Sequence, residues 1–160
     1  MMKDQNKPAT IESLLDVLRY NGYSPELEDT YHNGDMTIKF KQGPMLFKID
    51  PTNLPYLTIS TACRMNHDTD DINIMYQAAN EVNSSVKVGK VIIIEYYPLV
   101  LFNVEMLCNT DMYFRNKFKT FMDIIFNTVD HFLSYYDILT DKNKMIQKAL
   151  KANEQDELPF

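Results

Sequence analysis

The clearest change of pattern along the chain falls between Ile72 and Leu107. Ile72, Met75, Tyr76, Ala79 and Val82 recur at helical spacing and predict a helix to about Asn83, with Ser84-Ser85 as a turn. A strand over Val86–Glu95, a Tyr96-Tyr97-Pro98 corner and a second strand over Leu99–Leu107 follow. In these strands Val91, Ile92, Ile93 and Ile94, and then Leu99, Val100, Leu101 and Phe102, are apolar on consecutive positions. Successive strand residues point to opposite faces, so both strands are apolar on both sides and each face of their sheet needs a cover.

Upstream, Thr10 is placed as an N-cap and Leu14, Leu15 and Leu18 form a stripe closed by Gly22, which predicts a helix over Ile11–Asn21. From Leu27 to Arg64 the period is two. Asn33-Gly34, a strong hairpin signal, joins a strand at Leu27–Tyr31 to one at Asp35–Lys41. Strands at Met45–Asp50 and Tyr56–Arg64 complete an antiparallel meander. Asn66–Asp71 leads into the second helix. Downstream of Asn109-Thr110-Asp111, Phe114, Phe118, Phe121, Met122, Ile125, Val129, Phe132, Leu133 and Tyr136 keep steps of three and four and predict a long amphipathic helix. A weaker helix follows over Lys142–Ala152, with Met145, Ile146, Ala149 and Leu150 on one side.

These elements predict an α+β fold of order α-ββββ-α-ββ-α: an antiparallel sheet of five to six strands with the long helices packed on one face. Residues 10–138 make one domain, residues 1–9 a disordered N-terminus, and residues 139–160 a tail that is weakly helical to disordered.

Composition narrows the partners. The 160 residues are 45% hydrophobic and 24% charged, as in an ordinary globular domain. A net charge of −6 and a pI near 5.0 argue against nucleic acid as a partner. No apolar run is long enough to cross a bilayer, and the first residues do not resemble a signal peptide, so no membrane partner and a cytoplasmic location are expected. Cys63 and Cys108 sit at strand ends and are expected to be buried, reduced thiols. Asn83-Ser84-Ser85 matches a glycosylation sequon but has no secretory context.

Candidate chemistry is sparse. His67, Asp68, Asp70 and Asp71 gather acidic groups, but without the Gly and terminal acid of a calcium loop, and helix capping accounts for them. A Cys–His–Asp site from Cys63 or Cys108 with His67 or His131 has no local nucleophile motif. The four glycines, Gly22, Gly34, Gly43 and Gly89, are isolated and make no phosphate loop. The chain is therefore expected to be no enzyme and to need no metal and no cofactor. The apolar residues Val91–Ile94 and Leu99–Phe102 are the candidate surface for a protein client or a second subunit.

In this order of elements the chain resembles the YbjN family, bacterial proteins labelled as sensory transduction regulators, whose fold is similar to that of type III secretion chaperones. The match rests on Ala78-Ala79-Asn80-Glu81-Val82-Asn83 leading into Lys87-Val88-Gly89-Lys90-Val91, with the long helix from Phe114, and it spans Ile11–Tyr136. The resemblance implies a non-catalytic protein-binding module, chaperone-like or regulatory and dimeric, since such chaperones are small acidic dimers that hold extended client segments. Asn80 and Asn83 carry over as family-pattern positions, expected to order the helix end and the turn into the strand. The alternative is a small-ligand or metal sensor using the acidic loop at Asp68–Asp71.

Overall fold

The computed structural model describes residues 11–27, 36–40, 43–50, 56–65, 72–96, 99–107 and 111–156. The Asn33-Gly34 turn, the loop at residues 51–55, the acidic loop at residues 66–71, Cys108 and both termini lie outside them.

The first helix, α1 (Ile11–Tyr20), ends as Gly22 dictates. Gly22 takes a φ of 83°, and the amides of Gly22 and Tyr23 donate to the carbonyls of Arg19 and Leu18, both at 3.0 Å. This is the Schellman arrangement, which needs a residue free to adopt positive φ. Asn21 adds a side-chain bond from Nδ2 to the Val17 carbonyl, 2.7 Å. The turn delivers Tyr23 edge-on to Phe118, with ring centroids 5.9 Å apart, so α1 is tied to the last helix.

Six strands follow: β1 (Pro25–Leu27), β2 (Met36–Phe40), β3 (Gly43–Asp50), β4 (Tyr56–Arg64), and, after α2 (Ile72–Ser85), β5 (Gly89–Ile94) and β6 (Leu99–Leu107). They form one antiparallel sheet in the order β1-β2-β3-β4-β6-β5. The meander thus continues into the last strand of the hairpin, and β5 becomes an edge.

Three boundaries differ from expectation. Leu27 lies opposite Met36 and Pro25 opposite Ile38. A two-residue turn at Asn33-Gly34 would instead set Leu27 opposite Phe40. The observed partner of Leu27 is four residues from the one that turn would set, an even shift that keeps each residue on the same face. Ser84 and Ser85, expected as a turn, belong to α2, and the Val86 amide still donates to the Val82 carbonyl at 2.8 Å; Lys87 and Val88 bend the chain, and pairing starts only at Gly89.

The last helix, α3 (Asp111–Asp156), is one unbroken element of 46 residues, about 69 Å long. The helix expected to end near Tyr136 and the separate weak helix expected over residues 142–152 are therefore one. No Gly or Pro interrupts residues 111–156, so no breaker separates them.

One hydrophobic core joins all three helices to one face of the sheet. Leu14, Val17 and Leu18 of α1, Met75, Ala78, Ala79 and Val82 of α2, and Phe114, Phe118, Met122, Ile125 and Phe132 of α3 meet Leu57, Ile59, Val91, Val100, Phe102, Val104 and Met106 of the sheet. Phe102 and Phe132 are both fully buried and pack edge to face at 5.5 Å. Each such side chain stabilises the fold by about 2–3 kcal/mol through burial. Because α2 belongs to this layer, it is not a cover for the opposite face.

Candidate partner-binding face

The register divides the eight apolar residues singled out in the sequence into two sets of four. Val91 lies opposite Phe102 and Ile93 opposite Val100. Val91, Val100 and Phe102 are buried and Ile93 packs against the same core. These four face the helices and offer nothing to a partner, which corrects their assignment as candidate binding residues. Strand alternation sends the other four to the far side. There Ile92 lies opposite Leu101 and Ile94 opposite Leu99. Ile92 is 42% exposed, while Ile94, Leu99 and Leu101 are half-buried. The core side chains of all three helices belong to the other side of the sheet.

Polar groups adjoin this apolar patch. Asn103 follows Leu101 on the same face, between Ser60 of β4 and Lys90 of β5 in the register. Its Oδ1 is buried and has no hydrogen-bond partner among the described residues, and Ser60 is buried beside it. A carbonyl oxygen in that state is an acceptor whose desolvation is uncompensated. Lys90 and Glu105 make a long ion pair at 4.0 Å, with both side chains largely exposed. Such a pair stabilises little and is easily broken.

The two asparagines of the family pattern have different environments. Asn83 leaves the last turn of α2 and pairs with the backbone of Val91: the Val91 amide donates to Oδ1 at 2.8 Å, and Nδ2 donates to the Val91 carbonyl at 2.9 Å. In the antiparallel ladder the N–H and C=O of every second residue point away from the neighbouring strand. Asn83 satisfies both of these groups at Val91, on the outer edge of β5. Asn80, one turn earlier, is exposed. A second device holds this corner: a Cβ on Gly89 would overlap the Thr128 Oγ1 and come within 3.2 Å of two of its carbons, so glycine lets β5 approach α3. Thr128 is fully buried, its hydroxyl donating to the Ile124 carbonyl at 2.8 Å. Nothing in the sequence alone marked this contact, because it depends on two elements far apart in the chain.

At the other end of β5, the Tyr76 hydroxyl of α2 donates to the Glu95 carboxylate. That bond holds the Tyr76 pKa above its ordinary value, with burial and the Glu95 charge adding to it. Cys63 sits opposite Val100 and packs against the core. Burial raises its pKa, the reverse of what an activated nucleophile needs. His131 is exposed on α3. His67, Asp68, Asp70, Asp71 and Cys108 fall outside the described residues. Among the described residues no group of three or more His, Cys, Asp or Glu is placed to hold a metal ion, and no helix is long and apolar enough to cross a membrane.

No family model matches the chain, and no curated protein matches it. Among solved structures, it is similar to the crystal structure of YbjN from E. coli, a candidate transcription regulator, with a TM-score of 0.58 at 13% sequence identity. The likeness covers 75% of this chain and 88% of that one. At this identity the likeness is one of fold, and the α+β fold of the chain is YbjN-like.

Proposed function

We propose that this YbjN-like chain is a non-catalytic protein-binding module, regulatory or chaperone-like, working in the cytoplasm, and that it receives an extended client segment on the sheet face turned away from the helices. The observation that carries the proposal is the set Ile92, Ile94, Leu99 and Leu101, apolar and only partly covered on a face over which none of the described helices packs its core side chains. A sheet normally buries an apolar face against another layer, and here that layer is open to a partner. The likeness to a candidate regulator agrees with a binding role rather than a catalytic one.

The test is affinity capture from the native cell with the intact chain and with Ile92→Asp. The proposal expects proteins retained by the intact chain and lost with the variant, while the thermal melt of the variant stays close to the original. An identical set of captured proteins would end it.

A further inference from the structure

We infer that the extended segment received on the open sheet face carries an acid-x-apolar-x-acid pattern: two acidic residues four positions apart with an apolar residue midway. The inference rests on the client reading above and names the chemistry of that client. On this face the register sets out rows across β4, β6 and β5. In the first, Leu99 lies between Arg64 and Ile94. Two residues along, Leu101 lies between Ala62 and Ile92, and two further on Asn103 lies between Ser60 and Lys90. Arg64 and Lys90 thus stand at opposite corners, with Leu101 at the midpoint of the diagonal. Two strand spacings across and four residues along set their Cα atoms about 16 Å apart. Alternate residues of an extended client share one side, and two of them four positions apart span about 13 Å. The long cationic side chains close the difference. The residue midway then comes down over Leu101, between Leu99 and Ile92, where an apolar side chain is buried.

Charge selects this client. Arg64 and Lys90 are the charged residues of the three rows, so both ends of the apolar diagonal are positive in a chain whose net charge is −6. Both are exposed, the Lys90 side chain by 65%. The neighbouring acids leave them open to a client. Glu95 follows Ile94, but its carboxylate accepts from Tyr76 of α2, on the helix side of the sheet. Glu105, one row beyond Asn103, reaches Lys90 only at 4.0 Å, in an exposed pair that an incoming carboxylate displaces at little cost. After Arg64 the chain leaves this face, for Met65 packs against the core.

Selection of a displayed library of random peptides on the full chain, on Ile92→Asp and on Arg64→Glu tests the inference. The intact chain enriches the acid-x-apolar-x-acid pattern, and Ile92→Asp does not. Arg64→Glu, an exposed substitution whose thermal melt stays close to the original, exchanges one acid of the pattern for Lys or Arg and keeps the other. A fluorescein-labelled synthetic peptide bearing the selected pattern binds Arg64→Glu and Lys90→Gln each about fivefold more weakly than the intact chain. Enrichment that Ile92→Asp leaves intact, or none on any of the proteins, would overturn the client face and this inference with it. Enrichment lost with Ile92→Asp but free of acids, or with both acids kept on Arg64→Glu, would overturn the inference alone and leave the client face standing.

Discussion

Asn83 meets Val91 as a neighbouring strand would, accepting from its amide at 2.8 Å and donating to its carbonyl at 2.9 Å. One amide side chain on a helix end thereby substitutes for a ladder partner on the exposed edge of β5. Asn83→Ala removes both bonds and is expected to lower stability by about 1–2 kcal/mol. Hydrogen exchange checks it residue by residue: the Val91 amide should lose its protection while the β4–β6 ladder keeps its own. Asn83→Asp keeps the acceptor but turns an oxygen toward the Val91 carbonyl, and should not restore stability.

Gly89→Ala is expected to destabilise the fold by about 1–3 kcal/mol, because the added methyl meets a buried hydroxyl held in place by its bond to Ile124. Thr128→Ala removes the nearest obstructing atom. The double variant should therefore be more stable than the sum of the two single effects predicts, and denaturant unfolding of all four proteins measures this coupling.

Neighbouring isoleucines on β5 should behave in opposite ways. Ile93→Asp sets a carboxylate against the helix layer and is expected to cost about 3 kcal/mol or more, a large fraction of a domain's ordinary stability. Ile92→Asp faces solvent on the other side and should shift stability by no more than about 1 kcal/mol. Thermal melts decide the matter, and equal loss in the two variants would show that the far face is covered after all.

The Tyr76–Glu95 bond gives a pH dependence whose sign follows from the raised Tyr76 pKa. A group with a folded pKa above its unfolded value contributes stability that is fully present below the unfolded value, here the ordinary tyrosine pKa of 10.0, and loses it as pH rises through the folded one. The hydroxyl must keep its proton to donate to Glu95. Tyr76→Phe should therefore melt below the intact chain at neutral pH, and the gap between the two should close as the pH climbs beyond 10.0. A gap independent of pH would assign the effect to packing.

Local signals in the sequence carried far. Gly22 closes α1 where a left-handed residue was expected, and the stripe from Phe114 to Phe132 packs as its spacing predicts. Strand order is a non-local property: nothing along the chain tells β4 to pair with β6 rather than β5. The two-sided apolar character of Val91–Ile94 was plain, but which side each residue takes depends on a register set by β6 and by the approach of α3 at Gly89. A two-residue turn at Asn33-Gly34 would pair Leu27 with Phe40 rather than with its observed partner Met36, because a turn signal is local and strand register is not. Asn83 stood out only as a position of the family pattern, while its role required knowing that β5 is an edge.

The grip of Asn83 on Val91 also bears on selectivity. In strand addition at an open edge, the main-chain hydrogen bonds that supply affinity can form with almost any extended polypeptide. With the outer backbone groups of Val91 already taken by Asn83, and a strand of three residues at the opposite border among the described residues, the sheet is poorly suited to bind by its main chain alone. A client received across Ile92 and Leu101, as proposed above, would instead be chosen by its side chains.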